Sequence, residues 1–354
     1  MKWRIAIIAA LGLALILYLV RFIGLGAVLA AAVSVGWGGF VLLCGYQLAL
    51  FFLLGSAWYV LMPRESAVPH RVFVWARMVR DSAAEVLPFS QFGGMALGAR
   101  AAILHGVSRA FAFGSMIVDV TSEMLAQIAY IALGVAMLSA RAPHNSSAES
   151  LTTVFAIGLA LAVIAGGLFL ALQRHGHWMT AKLAARLLPG AATATAAVPA
   201  ALDEIYRSPA RVGFSATLHF SAWLFNSVGT WIAFRLIGVH VDVAAVIAIE
   251  SLVYAMRSAA FIVPNALGVQ EGAYAVLAPL FGVGAEFGLA VSLLKRARDI
   301  AIGVPVLLLW QTVEGQRAWS TGPAATPRQA AASGAPCQEL AGAARALPTG
   351  GQPR

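Results

Sequence analysis

The chain alternates between long apolar segments and short segments that carry charges. An apolar segment of about 20 residues in a helix crosses roughly 30 Å of hydrocarbon. Hydrocarbon offers no hydrogen-bond partner to the backbone. Such segments therefore fold as helices, which pair their own backbone groups. The pattern therefore predicts an all-α integral membrane protein, a helical bundle of about seven spans. The predicted spans are Ile5–Val20, Gly38–Leu61, Ala110–Leu138, Leu151–Leu172, Phe214–Ile237, Val243–Val263 and Phe287–Trp310.

Two clusters of proline and glycine interrupt this apolar pattern. A helix break at membrane depth is tolerated only inside protein or beside a water-lined cavity. We therefore interpret the second cluster, over 264–281, as a re-entrant loop followed by a new helix start, with a tight loop between two spans as the alternative. The first cluster is expected to form a similar break. The residues of the two breaks are Pro88, Gln91, Gly93 and Gly94, and Pro264, Gly268 and Gly272.

The two breaks have a similar sequence context. Asp119 follows Pro88 by the same number of residues as Lys295 follows Pro264. Paired interrupted segments in two halves of a chain are typical of transporter repeats with a site near the midplane. Proline and glycine also coincide by chance in apolar sequence, so an internal repeat and a coincidence both stay open.

Polar side chains recur at every fourth residue of the third predicted span. Ser115, Asp119, Glu123 and Gln127 share one helix face, and that face cannot contact lipid. For Ser115 and Gln127, hydrogen bonds that hold helices together are the favoured interpretation. For the two acids, a functional role is favoured.

Asp119 and Glu123 lie one helical turn apart. Neighbouring carboxylates in a low dielectric resist joint ionisation, so either one is protonated or both meet cations. Arg257, Lys295 and Arg298 are the expected cations.

Charges also lie near and beyond the second break. The planar fork of an arginine binds phosphate or carboxylate through two hydrogen bonds, which suits an anionic lipid headgroup. For Glu250 and Arg257, a structural role and a substrate role both stay open. We expect the following residues to bind substrate: Asp119, Glu123, Glu250, Arg257, Gln270, Glu271, Lys295, Arg296, Arg298 and Asp299.

Composition supports the membrane class and excludes several functions. Hydrophobic residues make up 60% and charged residues 11% of 354 residues. A soluble globular protein of this size needs more polar side chains to cover its surface. The two cysteines and the absence of metal-binding, phosphate-loop and nucleophile-elbow motifs predict no metal, no cofactor and no ATPase or serine hydrolase activity.

The formal net charge is +9, and the basic residues flank the predicted spans. This distribution predicts contact with anionic lipid and no binding of nucleic acid. Because basic residues favour the cytoplasmic side, we expect a cytoplasmic N-terminus. The basic residues on that side are Arg64, Arg71, Arg77 and Arg80, and Arg174, Lys182, Arg186, Arg207 and Arg211.

The chain divides into a membrane domain over 1–315 and a tail over 316–354. From Thr321 onward the sequence is rich in Ala, Gly, Pro and Gln without a hydrophobic period, which predicts a disordered tail. An interfacial or cytoplasmic linker is expected at about 173–212.

The segments Pro264–Gly272 and Leu293–Asp299 resemble the lysylphosphatidylglycerol synthase transmembrane, or flippase-like, family. Together with Leu87–Gly94, they resemble most its hopanoid-biosynthesis-associated subgroup. The resemblance covers about residues 5–310. It implies a lipid-handling helical bundle with re-entrant elements in the bacterial inner membrane. It also implies that Glu271 is the motif acid and Arg296 the basic residue within a span.

The resemblance implies a lipid translocator. Full-length synthases of this family add a soluble aminoacyl-transfer domain, which the tail of this chain does not resemble. We therefore expect a non-enzymatic, flippase-like protein without its own ATPase, whose substrate is a lipid, hopanoid-related by resemblance. The alternatives are an integral-membrane transferase that modifies lipid, and a non-catalytic partner of lipid-biosynthesis proteins. The oligomeric state stays open.

Overall fold

The computed structural model describes residues 33–63, 67–87, 90–141, 146–175, 192–260 and 263–320. Regular structure in this part of the chain is entirely helical, which confirms the all-α prediction there. In chain order the α-helices are α1 (Gly36–Tyr59), α2 (His70–Val86), α3 (Ser90–Leu104), α4 (Arg109–Arg141), α5 (Ser146–His175), α6 (Ala192–Tyr206), α7 (Pro209–Leu236), α8 (Val243–Ala259), α9 (Val269–Leu277) and α10 (Ala285–Ser320), with short 3₁₀ turns at Pro264–Ala266 and Ala278–Phe281.

Three of the described helices are long and apolar enough to cross a membrane, namely α1, α4 and the Glu149–Gln173 part of α5. The predicted spans near 214–237, 243–263 and 287–310 form the helices α7, α8 and α10. These helices are shorter or carry more polar residues than a simple apolar span. The span predicted at 5–20 lies outside the described residues, so the total of about seven spans stays a prediction.

Internal contacts divide the chain after Leu308, and the cavity and ion pairs described below lie in the first unit. The last helix, α10, continues into the second unit and ends at Ser320. The predicted tail from 316 therefore begins within a helix, and its remainder lies outside the described residues. Within the predicted linker, residues 192–206 form α6.

Helix α4 lies at the centre of the first unit and packs against α5, α6, α7 and α8. Its contact with α8 is close because Gly134 has no side chain. A Cβ at Gly134 would lie 1.7 Å from the hydroxyl oxygen of Ser251. Such small residues let two helices approach until their backbones nearly touch.

A group of buried apolar residues joins α7, α8 and α9. Phe234, Ile249 and Leu252 are fully buried, and Leu277 of α9 is 1% exposed. Their burial fixes the short α9 against two longer helices, so that the segment after the second break has a defined position.

The structure has a helix break at both predicted places. Helix α9 contains 9 residues, which gives it a length of about 14 Å, less than half the thickness of the hydrocarbon layer. It therefore does not span, as the re-entrant interpretation requires, although its depth in the membrane stays a prediction. At the first break, α2 ends at Val86 and α3 begins at Ser90.

Glycine permits a close approach at the first break. A Cβ at Gly94 would lie 2.5 Å from the backbone oxygen of Arg80, whereas one at Gly93 would meet nothing within 4 Å. Pro88 lies outside the described residues, as does the side chain of Gln91. Both halves have the order helix, break, shorter helix, long helix, and the internal repeat stays a hypothesis.

Candidate functional site

A cavity of about 410 Å³ lies among helices of the first unit. Charged side chains from α2, α4, α8 and α10 line part of its wall, and apolar side chains from α1, α3, α4 and α10 line another part. The cationic residues are Arg77, Arg80, Arg257, Lys295 and Arg298, and the acidic residues are Asp81, Glu85, Glu123 and Asp299.

Two arginines of α2 hold the two acids of α4. Arg77 and Arg80 each donate to Oδ2 of Asp119, at 3.1 and 2.9 Å. They also donate to separate oxygens of Glu123, at 2.6 and 2.8 Å. Bidentate arginine contacts of this kind orient a carboxylate as well as neutralise it. Both acids are therefore satisfied inside the protein.

Two further groups complete this cluster. Asp81 accepts a hydrogen bond from Nε of Arg77 at 2.7 Å. Nε2 of His219, on α7, lies 2.9 Å from Oδ1 of Asp119, and both side chains are fully buried. We call this set the arginine–carboxylate cluster: Arg77, Arg80, Asp81, Asp119, Glu123 and His219.

The prediction that Arg257, Lys295 or Arg298 neutralise the acids of α4 is wrong. The neutralising residues are Arg77 and Arg80, which the charge pattern of the sequence places among the bases that flank the predicted spans. They are only 2% and 7% exposed. A signal was present, because these arginines lie shortly before the first break, as Arg257 lies before the second.

The polar face of α4 does point into the protein. Ser115 accepts a hydrogen bond from the indole nitrogen of Trp58 at 3.0 Å, and Gln127 donates to Ser258 at 2.9 Å. These contacts support the interpretation that Ser115 and Gln127 hold helices together.

Glu250 and Lys295 form a buried ion pair. Nζ of Lys295 lies 2.7 Å from Glu250 Oε2, 2.9 Å from the hydroxyl of Tyr274 and 3.1 Å from that of Thr230. Asn226 donates to Glu250 at 2.9 Å. Since an ammonium group has three hydrogens to donate, Lys295 is satisfied by protein groups. The pair joins α8 to α10.

Glu271 and Arg296 form an ion pair that fixes the second break. Arg296 also donates to the backbone oxygens of Asn265 and Ala266, at 3.2 and 3.3 Å. Glu271 accepts a hydrogen bond from the backbone nitrogen of Gly268 at 2.8 Å. Glu271 and Arg296 therefore position the turn that begins α9.

Arg257 contacts both halves of the chain. It donates to Glu85 of α2 at 2.8 Å and to Gln270 of α9 at 2.5 Å. Arg257 and Glu85 both line the cavity, where their side chains are 13% and 28% exposed. An arginine in this position is paired and still accessible from the cavity.

Arg298 is the cavity cation with the simplest pairing. Its Nε and Nη2 both donate to one oxygen of Asp299, at 3.0 and 2.7 Å. Its Nη1 donates to no protein group among the described residues. The guanidinium can therefore offer a hydrogen bond to a ligand in the cavity without losing its carboxylate partner.

The structure separates the predicted substrate-binding residues into two groups. Those that line the cavity are Glu123, Arg257, Lys295, Arg298 and Asp299. Those that do not line it are Asp119, Glu250, Gln270, Glu271 and Arg296. The missed lining residues are chiefly Arg77, Arg80, Asp81, Glu85 and Asn226. Among the described residues no cluster of three or more His, Cys, Asp or Glu could hold a metal ion.

These features define an all-helical membrane protein with a charged internal cavity. The sequence matches the family described as Lysylphosphatidylglycerol synthase TM region over residues 3–306. Since this match covers most of the chain, the protein belongs to that family, which indicates a lipid-related function in a membrane. Neither a curated protein nor a solved structure matches the chain.

Proposed function

We propose that the protein is a flippase-like lipid translocator of the bacterial inner membrane. Its substrate is a lipid with an anionic headgroup, and the subgroup resemblance favours a hopanoid-related lipid. The protein has about seven spans and a cytoplasmic N-terminus, and works without its own ATPase or any enzymatic step. The observation that carries this proposal is the cavity, because its lining is both charged and apolar.

The lining matches the two chemical parts of a lipid. A volume of about 410 Å³ is within the usual range for small-molecule sites and suits a headgroup rather than a whole lipid. The acyl chains stay in the bilayer. The apolar part of the wall supports this division of the ligand. It includes Leu50, Phe51, Leu54, Met95, Val263 and Ile302.

Arg298 and Arg257 are the residues that we assign to the headgroup. Arg298 has an unused donor among the described contacts, and Arg257 is held by a partly exposed carboxylate that an anion can replace. Passage of an ionised headgroup through hydrocarbon is costly, and hydrogen bonds from paired arginines lower that cost. Lys295 is assigned a structural role because Glu250 and two hydroxyls take its hydrogen bonds.

Leaflet exchange in proteoliposomes tests the proposal. Vesicles of phosphatidylethanolamine and phosphatidylglycerol would contain acyl-labelled phosphatidylglycerol, and a membrane-impermeant quencher would report its exchange. We expect the purified protein to accelerate exchange and Arg298→Gln to slow it about tenfold or more, the effect of one charge-assisted hydrogen bond. Arg109→Gln, which changes an exposed arginine, is the control. If neither the unmodified protein nor either variant accelerated exchange, the proposal would be wrong.

The contacts of the carboxylates favour transport over transfer chemistry. A general base needs a carboxylate that can reach its substrate. Asp119 and Glu123 are held by two arginines, and Glu271 is held by Arg296. A new lipid species formed by purified protein and a headgroup donor would support the transferase alternative. Normal function after loss of the cavity charges would support an accessory role.

A further inference from the structure

We propose that His219 and Asp119 form a proton-binding site, and that one proton crosses the membrane together with one anionic lipid. The proton binds at Nδ1 of His219. The site is separate from the headgroup contacts at Arg257 and Arg298. The coupling rests on the proposed translocation, whereas proton binding itself does not.

The contacts of His219 define which nitrogen is available. Nε2 lies 2.9 Å from Oδ1 of Asp119, a carboxylate that can only accept while ionised. Nε2 therefore carries a hydrogen in the neutral ring, and Nδ1 carries the lone pair. Nδ1 is buried and has no partner among the described residues. This atom is the proton acceptor.

A second buried polar atom lies on the same helix face. Ser215 precedes His219 by one turn of α7, and the hydroxyl of Ser215 is also buried without a partner in the described part of the chain. Most buried polar groups in proteins are hydrogen-bonded. Two unpaired groups one turn apart make this the part of the cluster where a proton can be received.

The charge balance of the arginine–carboxylate cluster supplies the driving force. In their ordinary ionised forms, Arg77 and Arg80 carry two positive charges, and Asp81, Asp119 and Glu123 carry three negative charges. An uncompensated charge in a low dielectric is costly. With a proton on His219 the cluster is neutral.

The proton can also leave, because the excess negative charge is partly accessible to the cavity. The side chains of Asp81 and Glu123 are 21% and 19% exposed, and both residues line the cavity. The two protonation states of the cluster are therefore closer in free energy than in a fully closed core. A site that alternates between two protonation states is one requirement of coupled transport.

Other charges near His219 leave this balance unchanged. Helix α1, which packs on α7, carries no charged residue. The acids of α6, Asp203 and Glu204, are exposed. On α8, Glu250 is paired with Lys295, and Arg257 with Glu85.

Lipid and proton are coupled through the cavity. An anionic headgroup near the arginines adds negative charge and so favours the proton on His219. By linkage, the proton favours the headgroup equally. The pair moves as a neutral unit. With one proton per lipid, a gradient of two pH units shifts the leaflet ratio by up to about 100-fold.

Proton binding is tested first without any lipid movement. Purified protein in detergent would be shifted from pH 8 to pH 5, and the bound protons would be counted with a pH-sensitive dye. We expect His219→Gln to bind one proton fewer than the unmodified protein. His240→Gln, which removes an exposed histidine, is the matched control for the loss of an imidazole. An unchanged count in His219→Gln overturns the proposal.

A second variant separates charge balance from the loss of a histidine. Asp119→Asn leaves the cluster neutral without a proton on His219, so we expect one proton fewer although every histidine remains. Size-exclusion profiles would show that both variants are folded. A count in Asp119→Asn equal to that of the unmodified protein overturns the charge-balance argument.

Coupling is tested with labelled phosphatidylglycerol under an imposed pH gradient. We expect the gradient to shift the leaflet ratio for the unmodified protein and for His240→Gln, and to have no effect for His219→Gln. If the unmodified protein exchanges the lipid but the leaflet ratio does not change with the pH gradient, the coupling is wrong and the translocator proposal still holds. Absence of any exchange ends the translocator proposal and the coupling, while the proton count still decides the site.

Discussion

Arg257 of α8 donates to the carboxylate of Glu85 of α2 at 2.8 Å. Each residue belongs to the last turns of a helix that ends at a break. The side chain of Asn265, in the second break, also donates to the backbone oxygen of Glu85. The two breaks are therefore tied together beside the cavity, although 172 positions separate Glu85 from Arg257 in sequence.

A double-mutant cycle on Glu85 and Arg257 should measure this tie. We expect Glu85→Gln and Arg257→Gln each to lower the free energy of unfolding. The decrease in the double variant should be smaller than the sum of the two single decreases. The coupling should be about 1–2 kcal/mol, as is usual for contacting charged residues. Reversible unfolding in mixed micelles would provide the values. Additive losses would show that the contact contributes nothing.

Arg77 should be far more important for stability than a flanking base. Its loss leaves Asp119 buried beside a single arginine, and breaking a buried pair in this way costs about 3–5 kcal/mol. We expect this loss for Arg77→Gln in the same unfolding measurement. Arg71→Gln, on the same helix but exposed, should change stability by no more than about 0.5 kcal/mol. Equal effects would contradict the burial of Arg77.

The second break should tolerate glycine at one position and not at its neighbour. Asn265 and Ala266 have φ of 51° and 46°, a conformation that favours glycine. Ala266→Gly should raise the free energy of unfolding by about 1 kcal/mol, because it relieves left-handed strain. Asn265→Gly should lower it, because asparagine tolerates this conformation and its side chain holds Glu85. Thermal unfolding in detergent would show whether the two shifts have opposite signs.

Two helical glycines should respond oppositely to alanine. At Gly134 a Cβ would collide with Ser251, whereas at Gly45 it would meet nothing within 4 Å. Gly134→Ala should destabilise by about 1–3 kcal/mol through overpacking. Gly45→Ala should stabilise by up to about 1 kcal/mol through helix propensity. A neutral Gly134→Ala would mean that α4 and α8 are not in close contact.

An exposed ion pair at the end of α4 should depend on pH. A hydrogen bond from Arg141 lowers the pKa of Asp242, which lies in the loop before α8. Since the folded pKa is the lower one, the stabilisation is present above the ordinary pKa of aspartate and is lost as pH falls through the folded value. Because both side chains are exposed, the gain should stay below about 1 kcal/mol.

Comparison of unmodified protein with Asp242→Asn at pH 7 and pH 3 would measure that gain. The stability difference should shrink at pH 3 and in high salt, since salt screens exposed charges. A difference that grows as pH falls would have the wrong sign.

Several features of the site could be predicted from single helices. The polar face of α4 must avoid lipid, and proline with glycine must interrupt α8, because both conclusions need only local sequence and the chemistry of the bilayer. The partners of Asp119 could not be predicted in this way. They lie on α2, 39 and 42 positions away in sequence, and three other cations were equally suitable by charge.

The sequence by itself determined an all-helical membrane protein with two helix breaks and with charges that must be buried. Those conclusions follow from the high cost of unpaired backbone and charge in lipid, which applies to any fold. Only the tertiary structure decided that Asp119 meets Arg77 and Arg80, that Glu250 meets Lys295, and which residues face the cavity. The physical reason is that burial requires some partner for each charge, whereas the packing of the helices selects which one.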